Sequence, residues 1–215
     1  MREEAFFAAE RRRMVQEDLL ERNIRDPRVL RAMERIPRHR FVPPEHRRLA
    51  YADAPLPIGE GQTISQPYIV AYMVQLLSLD GNERVLDIGT GSGYQAAVLS
   101  YLAAEVYSIE RYAELAEQAS QRLRYLKFRN IHIHVGDGTE GLDQHAPFDR
   151  IVVAAGAPEA PPPLLEQLAE GGALVIPVGG RNNQILQRWV RFGDTYERED
   201  FVPVAFVPLI GKFGW

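Results

Sequence analysis

The sequence predicts an α/β fold: a doubly wound, mostly parallel sheet with antiparallel strands at its C-terminal end and a helical extension at its N-terminus. Three observations carry this expectation. The first is Val85-Leu-Asp-Ile-Gly-Thr-Gly-Ser-Gly-Tyr94 followed by Gln95-Ala-Ala-Val-Leu-Ser100, a short apolar strand ending in an acid, a glycine turn and a helix start. That arrangement holds a nucleotide-like ligand at the carboxyl edge of a parallel sheet. The second is alternation: strands are expected at 84–88, 105–109, 131–135, 149–154 and 172–177, with helices near 93–102, 112–127 and 161–169 between them. The third is the tail, where 184–191 and 199–207 read as strands with no helix between them.

Upstream of this alternation the chain reads as helical. Residues 4–24 form the first expected helix, with Phe6, Phe7, Met14, Leu19, Leu20 and Ile24 on one face. Arg11-Arg12-Arg13 is read as a solvated face, because Glu3, Glu4, Glu10 and Glu17 are interleaved with it. A second helix starts at Pro27, capped by Asp26, and runs through Val29, Leu30, Met33 and Ile36 until Pro37 ends it. Prolines 43, 44, 55 and 57 rule out long regular elements from 38 to 61. A third helix follows Pro67 and buries Ile69, Val70, Met73, Leu76 and Leu77. One domain is expected over residues 1–215: helices and a polar loop in 1–80, and an α/β core in 81–215.

Composition excludes several classes. A net charge of −4 argues against a dedicated nucleic-acid binder. No apolar run reaches the ~20 residues of a membrane span, and the opening Arg2-Glu3-Glu4 lacks the apolar stretch of a signal peptide. With no cysteine there is no disulfide and no thiolate metal site, so a cytoplasmic setting is the simplest expectation. His39, His46, His132, His134 and His145 are scattered and are read as surface or core residues, with no metal site expected.

The glycine spacing bears on the ligand. Gly89, Gly91 and Gly93 make G-x-G-x-G, whereas a dinucleotide fingerprint would need glycine where Tyr94 stands. An acid two residues before the first glycine, Asp87, suits a ligand carrying a cationic amino acid, and S-adenosyl-L-methionine is such a ligand. The candidate cofactor contacts in this loop are Asp87, Gly89, Thr90, Gly91 and Ser92; for Asp87, a water-mediated ligand contact and a purely structural role are equally open. Glu110 ends the second core strand, 17 residues after Gly93, where an acid accepts hydrogen bonds from both ribose hydroxyls. Asp137 and Gly138 follow the third core strand, where this fold presents residues to the adenine edge. Taken in order and at this spacing, these features indicate a class I methyltransferase.

A further motif lies upstream, in Gly61-Gln-Thr-Ile-Ser-Gln-Pro67. Read alone it is a polar loop before a helix. Together with Val85–Gln95, Gly136-Asp-Gly-Thr-Glu-Gly141, Phe148-Asp-Arg-Ile-Val-Val-Ala-Ala-Gly156 and Val175-Ile-Pro-Val-Gly-Gly180, it resembles the protein-L-isoaspartate(D-aspartate) O-methyltransferases over about Arg12 to Leu209. Ile210 to Trp215 depart from the family's pattern. The resemblance implies a Rossmann-like methyltransferase fold, with Ser65 at the active site and Gln62 and Thr63 lining the cofactor and substrate pocket. Thr63, Ile64 and Ser65 are then the candidate substrate contacts.

The implied reaction transfers a methyl group from S-adenosyl-L-methionine to the free α-carboxyl of L-isoaspartyl residues, with D-aspartyl residues as a second candidate substrate. S-adenosyl-L-homocysteine is the second product. The implied partners are damaged proteins and peptides, with no nucleic acid and no membrane, and an open cleft for diverse chains favours a monomer. The alternatives are a class I methyltransferase acting on a small molecule or nucleic acid, and a cofactor-binding module without catalysis. Against base methylation, Ala154-Ala-Gly-Ala-Pro158 after the fourth core strand carries no acid for an exocyclic amine.

Overall fold

A computed structural model describes residues 2–215. The N-terminal helix α1 (Arg2–Arg13) continues as a π-helical stretch, Met14–Leu20. Phe7, Met14, Leu19 and Ile24 are buried as expected, but Phe6 is 47% exposed and Leu20 only half-buried. Neighbouring helical residues point about 100° apart, so Phe6 cannot share the narrow stripe that Phe7 occupies. Helix α2 (Pro27–Arg35) begins as its sequence dictates: Pro27 fixes the first φ, and the Asp26 carboxylate accepts from Arg28 N–H at 2.8 Å. Pro37 then ends the element.

Between 38 and 55 the prolines leave only two 3₁₀ turns, Arg38–Arg40 and Pro44–Leu49. A small antiparallel hairpin follows, β1 (Leu56–Gly59) with β2 (Gln62–Ile64), so the loop expected to be irregular is partly strand. Three consecutive positive φ values, at Gly59, Glu60 and Gly61, close it. With four and three residues, these strands are too short to show a period-two pattern. Helix α3 (Pro67–Leu77) buries all five residues expected of it.

The remainder forms a seven-stranded sheet made of β3 (Arg84–Ile88), β4 (Glu105–Glu110), β5 (Ile131–Val135), β6 (Phe148–Val153), β7 (Leu168–Gly180), β8 (Asn183–Phe192) and β9 (Thr195–Val204). Its order is β5-β4-β3-β6-β7-β8-β9. The first five in that order are parallel, and β8 and β9 are antiparallel. Helices α4 (Tyr94–Ser100) and α5 (Ala113–Tyr125) fall close to expectation. Helix α6 does not: it spans only Pro162–Glu166, and β7 starts where helix was expected. Buried Gln167 explains the early stop. Its side chain accepts from Leu142 N–H at 2.8 Å and donates to the Glu140 carbonyl at 2.8 Å, while its own carbonyl accepts from Phe148 N–H.

One apolar cluster joins α3, α4 and the N-terminal helices to one face of the sheet, and a second covers the other face around Leu86, Phe148, Ile151 and Leu164. Both faces are therefore dry, as a parallel sheet requires. No helix among the described residues is long and apolar enough to cross a membrane. The chain runs from β3 to β4 and β5 on one side of β3 and then crosses back to β6 on its other side. The carboxyl ends of β3 and β6 therefore flank the crevice where ligands bind in such sheets.

Candidate active site

The glycine turn opens directly at that crevice. Gly89, Gly91 and Gly93 all take left-handed φ values, +91°, +51° and +85°, which a side chain would resist. At Gly93 the absence of a side chain also lets α4 approach α5: a Cβ there would lie 3.3 Å from both Ala119 and Leu123. The turn is tied to the next strand, with Gly89 N–H donating to the Ile109 carbonyl at 2.9 Å. Glu110, buried at the end of β4, accepts from Gly91 N–H at 2.7 Å and from Tyr112 N–H at 3.0 Å. One carboxylate thus fixes both the loop and the strand end, and it keeps capacity for further donors.

Asp87 lies behind this loop and is fully buried. Its oxygens accept from Gln95 Nε2 at 2.8 Å and from Ser108 Oγ at 2.7 Å, and the Ser108 and Thr90 hydroxyls are 2.6 Å apart. Burial pushes its pKa up to about 6, against the opposing pull of those two donors. A carboxyl whose folded pKa exceeds its unfolded value of 3.8 contributes stability in acid that is lost as pH rises through about 6. Relative to Asp87→Asn, the wild type is therefore expected to gain on the order of 2 kcal/mol between about pH 7.5 and pH 4. Urea unfolding of both proteins at the two pH values measures this, and a pH-independent difference contradicts it.

Every other sequence-predicted site residue except Asp137 lines a single cavity. The Gln62–Ser65 segment, the Gly89–Ser92 turn, Glu110 and Gly138 all line it. The cavity is a cleft open to solvent. Asp137 is placed differently. Its Oδ1 accepts from Thr139 N–H and Oγ1, and its Oδ2 from Lys212 N–H at 2.8 Å. Burial alone would raise its pKa, but these donors outweigh burial and hold the carboxyl below the usual range. Only Gly138 of this pair faces the cavity, and a Cβ there would stand 2.5 Å from Ile88 Cγ2.

Sequence reasoning missed the wall supplied by the C-terminal segment. Val207 to Ile210 line the cavity, and Leu209 N–H donates to the Gly156 carbonyl at 2.8 Å. Beyond them, Phe213 N–H bonds Thr139 Oγ1 at 3.1 Å and the Trp215 indole donates to the Gly156 carbonyl at 3.0 Å. The C-terminal residues are therefore anchored beside the candidate adenine end. Their only sequence signal is an apolar run following the last strand.

A second, open cavity adjoins the first. Thr63, Ser65, Ala154 and Val207 line both, and Arg22, Tyr68, Val202 and Phe206 extend the second toward solvent. Asp53 braces the shared wall: it accepts from Gln66 Nε2 at 2.6 Å and Tyr68 N–H at 3.2 Å, and it pairs with Arg22, whose guanidinium lies 3.7 Å from the Tyr68 ring centroid.

This donor set fits S-adenosylmethionine: a carboxylate at the strand end for ribose hydroxyls, a side-chain-free turn for close backbone approach, and a glycine floor that admits no Cβ. The sequence profile of the family described as protein-L-isoaspartate(D-aspartate) O-methyltransferase matches residues 9–214. A protein-L-isoaspartate O-methyltransferase of Roseiflexus sp. is 56% identical over 209 residues, covering 97% of this chain and 95% of that one. Its counterpart in Dictyoglomus thermophilum is 52% identical over 205 residues, covering 95% and 93%. Among solved structures, a protein-L-isoaspartate O-methyltransferase superposes with a TM-score of 0.85 at 28% identity, covering 95% of this chain and 67% of the other. One from Plasmodium falciparum, in complex with S-adenosyl-L-homocysteine, gives 0.79 at 26% identity, covering 91% and 96%.

Proposed function

The chain belongs to the protein-L-isoaspartate(D-aspartate) O-methyltransferase family, and from that membership we infer that it methylates the free α-carboxyl of L-isoaspartyl residues in damaged proteins and peptides. Its cofactor is S-adenosyl-L-methionine. When bound, this cofactor supplies a methyl group on a cationic sulfur. The observation that carries the site assignment is the wall shared by the two cavities: Thr63 and Ser65 face both, so donor and acceptor meet there.

We propose the following roles. Glu110 accepts the ribose hydroxyls, the Gly89–Ser92 turn cradles the amino-acid end, and Gly138 seats the adenine. Asp87 and Asp137 act one layer back, holding the glycine turn and the C-terminal segment. Gln62, Thr63 and Ile64 shape the passage between the two cavities. The acceptor carboxyl, with a pKa of about 3.5, is already ionised at neutral pH, so the site needs no general base. What it must supply is alignment, an effect that can contribute up to ~7–11 kcal/mol. Ser65 provides it by donating a hydrogen bond to the non-attacking carboxylate oxygen, leaving the other free to attack. The Ala154 side chain, which lines the same two cavities, offers no competing donor or charge.

We further propose that residues 1–215 work as one catalytic unit, a cytoplasmic monomer that engages neither nucleic acid nor membrane. The absence of cysteine supports the compartment, and the open second cavity supports access by protein chains. D-aspartyl residues are a second candidate substrate. The function is tested by incubating the protein and cofactor with an L-isoaspartyl peptide and following its forms by chromatography. Loss of the isoaspartyl form and growth of succinimide and normal aspartyl forms is expected, because the methyl ester re-cyclises. An unchanged isoaspartyl peak contradicts the assignment.

A further inference from the structure

Arg38 carries a role that the motifs do not assign. Its side chain is fully buried, packed 4.8 Å from the Tyr94 ring centroid. Nε donates to the Ala50 carbonyl at 2.7 Å and Nη2 to the Ser65 carbonyl at 2.8 Å. Nη1 is buried without a partner, and no ion pair among the described residues includes this guanidinium. Burial lowers its pKa to about 10, which still leaves it charged at neutral pH.

A buried cation without a counter-ion is costly, and an apolar side chain would fill the same space without that cost. The charge therefore calls for a reason beyond packing. Asp53 already braces Gln66 and Tyr68 and is paired with Arg22, so it acts on Arg38 only through space, without an ion pair. Arg38 lines neither cavity, so it cannot quench the nucleophile by touching it.

We propose that Arg38 is a positioning residue for methyl transfer: it grips the Ser65 carbonyl to aim the Ser65 hydroxyl, and its unpaired charge behind that peptide favours the arriving substrate carboxylate. This rests on the role given to Ser65 above. A planar fork is needed to reach the Ala50 and Ser65 carbonyls together, which an ammonium group cannot reproduce.

The test is a double-mutant cycle with Ser65→Ala, built separately on Arg38→Met and on Arg38→Lys. Each protein is assayed for kcat and KM on an L-isoaspartyl peptide and for S-adenosylhomocysteine affinity by calorimetry. Arg38→Met is expected to lower kcat/KM by about 10- to 100-fold with a raised KM, while cofactor affinity stays within about threefold. Arg38→Lys is expected to restore KM more than kcat, because it returns the charge without the grip. In either background Ser65→Ala is expected to add less than about threefold, since both changes remove one interaction. If Arg38→Met does not fold, the lysine cycle decides alone. Losses that multiply in full, or a matching loss of cofactor affinity, overturn the proposal while leaving Ser65 in place. A Ser65→Ala protein with unchanged turnover overturns both.

Discussion

Glu110→Ala is expected to weaken S-adenosylhomocysteine binding by about 10²- to 10⁴-fold. The carboxylate ends β4 at the mouth of the crevice and lines the cofactor cavity. In the proposed role it accepts from two ribose hydroxyls, and hydrogen bonds to a charged group contribute roughly 1.5–3 kcal/mol each. The same oxygens accept from Gly91 and Tyr112 N–H, so alanine also frees a turn whose three glycines resist no alternative conformation. Glutamine does not rescue this site. It accepts on one oxygen only, and its amide nitrogen would face one of those two backbone donors. Isothermal titration of each variant with S-adenosylhomocysteine measures the effect, and wild-type affinity in Glu110→Ala removes the ribose assignment.

Ser65→Ala is expected to lower kcat/KM for an isoaspartyl peptide by roughly 10- to 1000-fold while leaving cofactor affinity near wild type. The asymmetry follows from position. Ser65 lines both cavities, whereas Glu110 and the glycine turn line only the first. Its backbone is held by Arg38, so removing the hydroxyl leaves the loop in place. In the proposed role, what is lost is the hydrogen bond that orients the carboxylate, and misalignment costs rate steeply. Steady-state kinetics with one peptide, paired with the calorimetry above, separate the two variants. Equal losses of cofactor affinity in both would show that Ser65 serves the cofactor and not the substrate.

The parts of this site written in consecutive residues are legible in the sequence alone. Val85–Tyr94 specifies its own strand, turn and helix, because apolar run, acid and glycines each dictate a local conformation. Glu110 follows from the length of one helical crossover. Asp137 shows the limit of that reasoning. Its position after β5 is correct, yet its carboxylate is engaged by Lys212, 75 residues away, and no local pattern reveals such a partner. Arg38 is a similar case: nothing in its local sequence marks it as buried, and the packing of Tyr94 and two distant carbonyls buries it. Phe6 and helix α6 depart from expectation for smaller reasons, a stripe one residue too wide and a glutamine recruited by a neighbouring turn.

In the proposed assignment the glycine turn and Glu110 hold the methyl donor, and Ser65, whose carbonyl Arg38 grips, orients the acceptor carboxylate. That claim is tested most directly by one comparison. Two peptides identical except for an L-isoaspartyl or a normal L-aspartyl linkage are incubated with the protein and methyl-labelled S-adenosylmethionine, and base-labile label on each is measured against time. Rapid saturable labelling of the isoaspartyl peptide, with none above background on its twin, is the predicted result. Equal labelling of both peptides, or of neither, contradicts it.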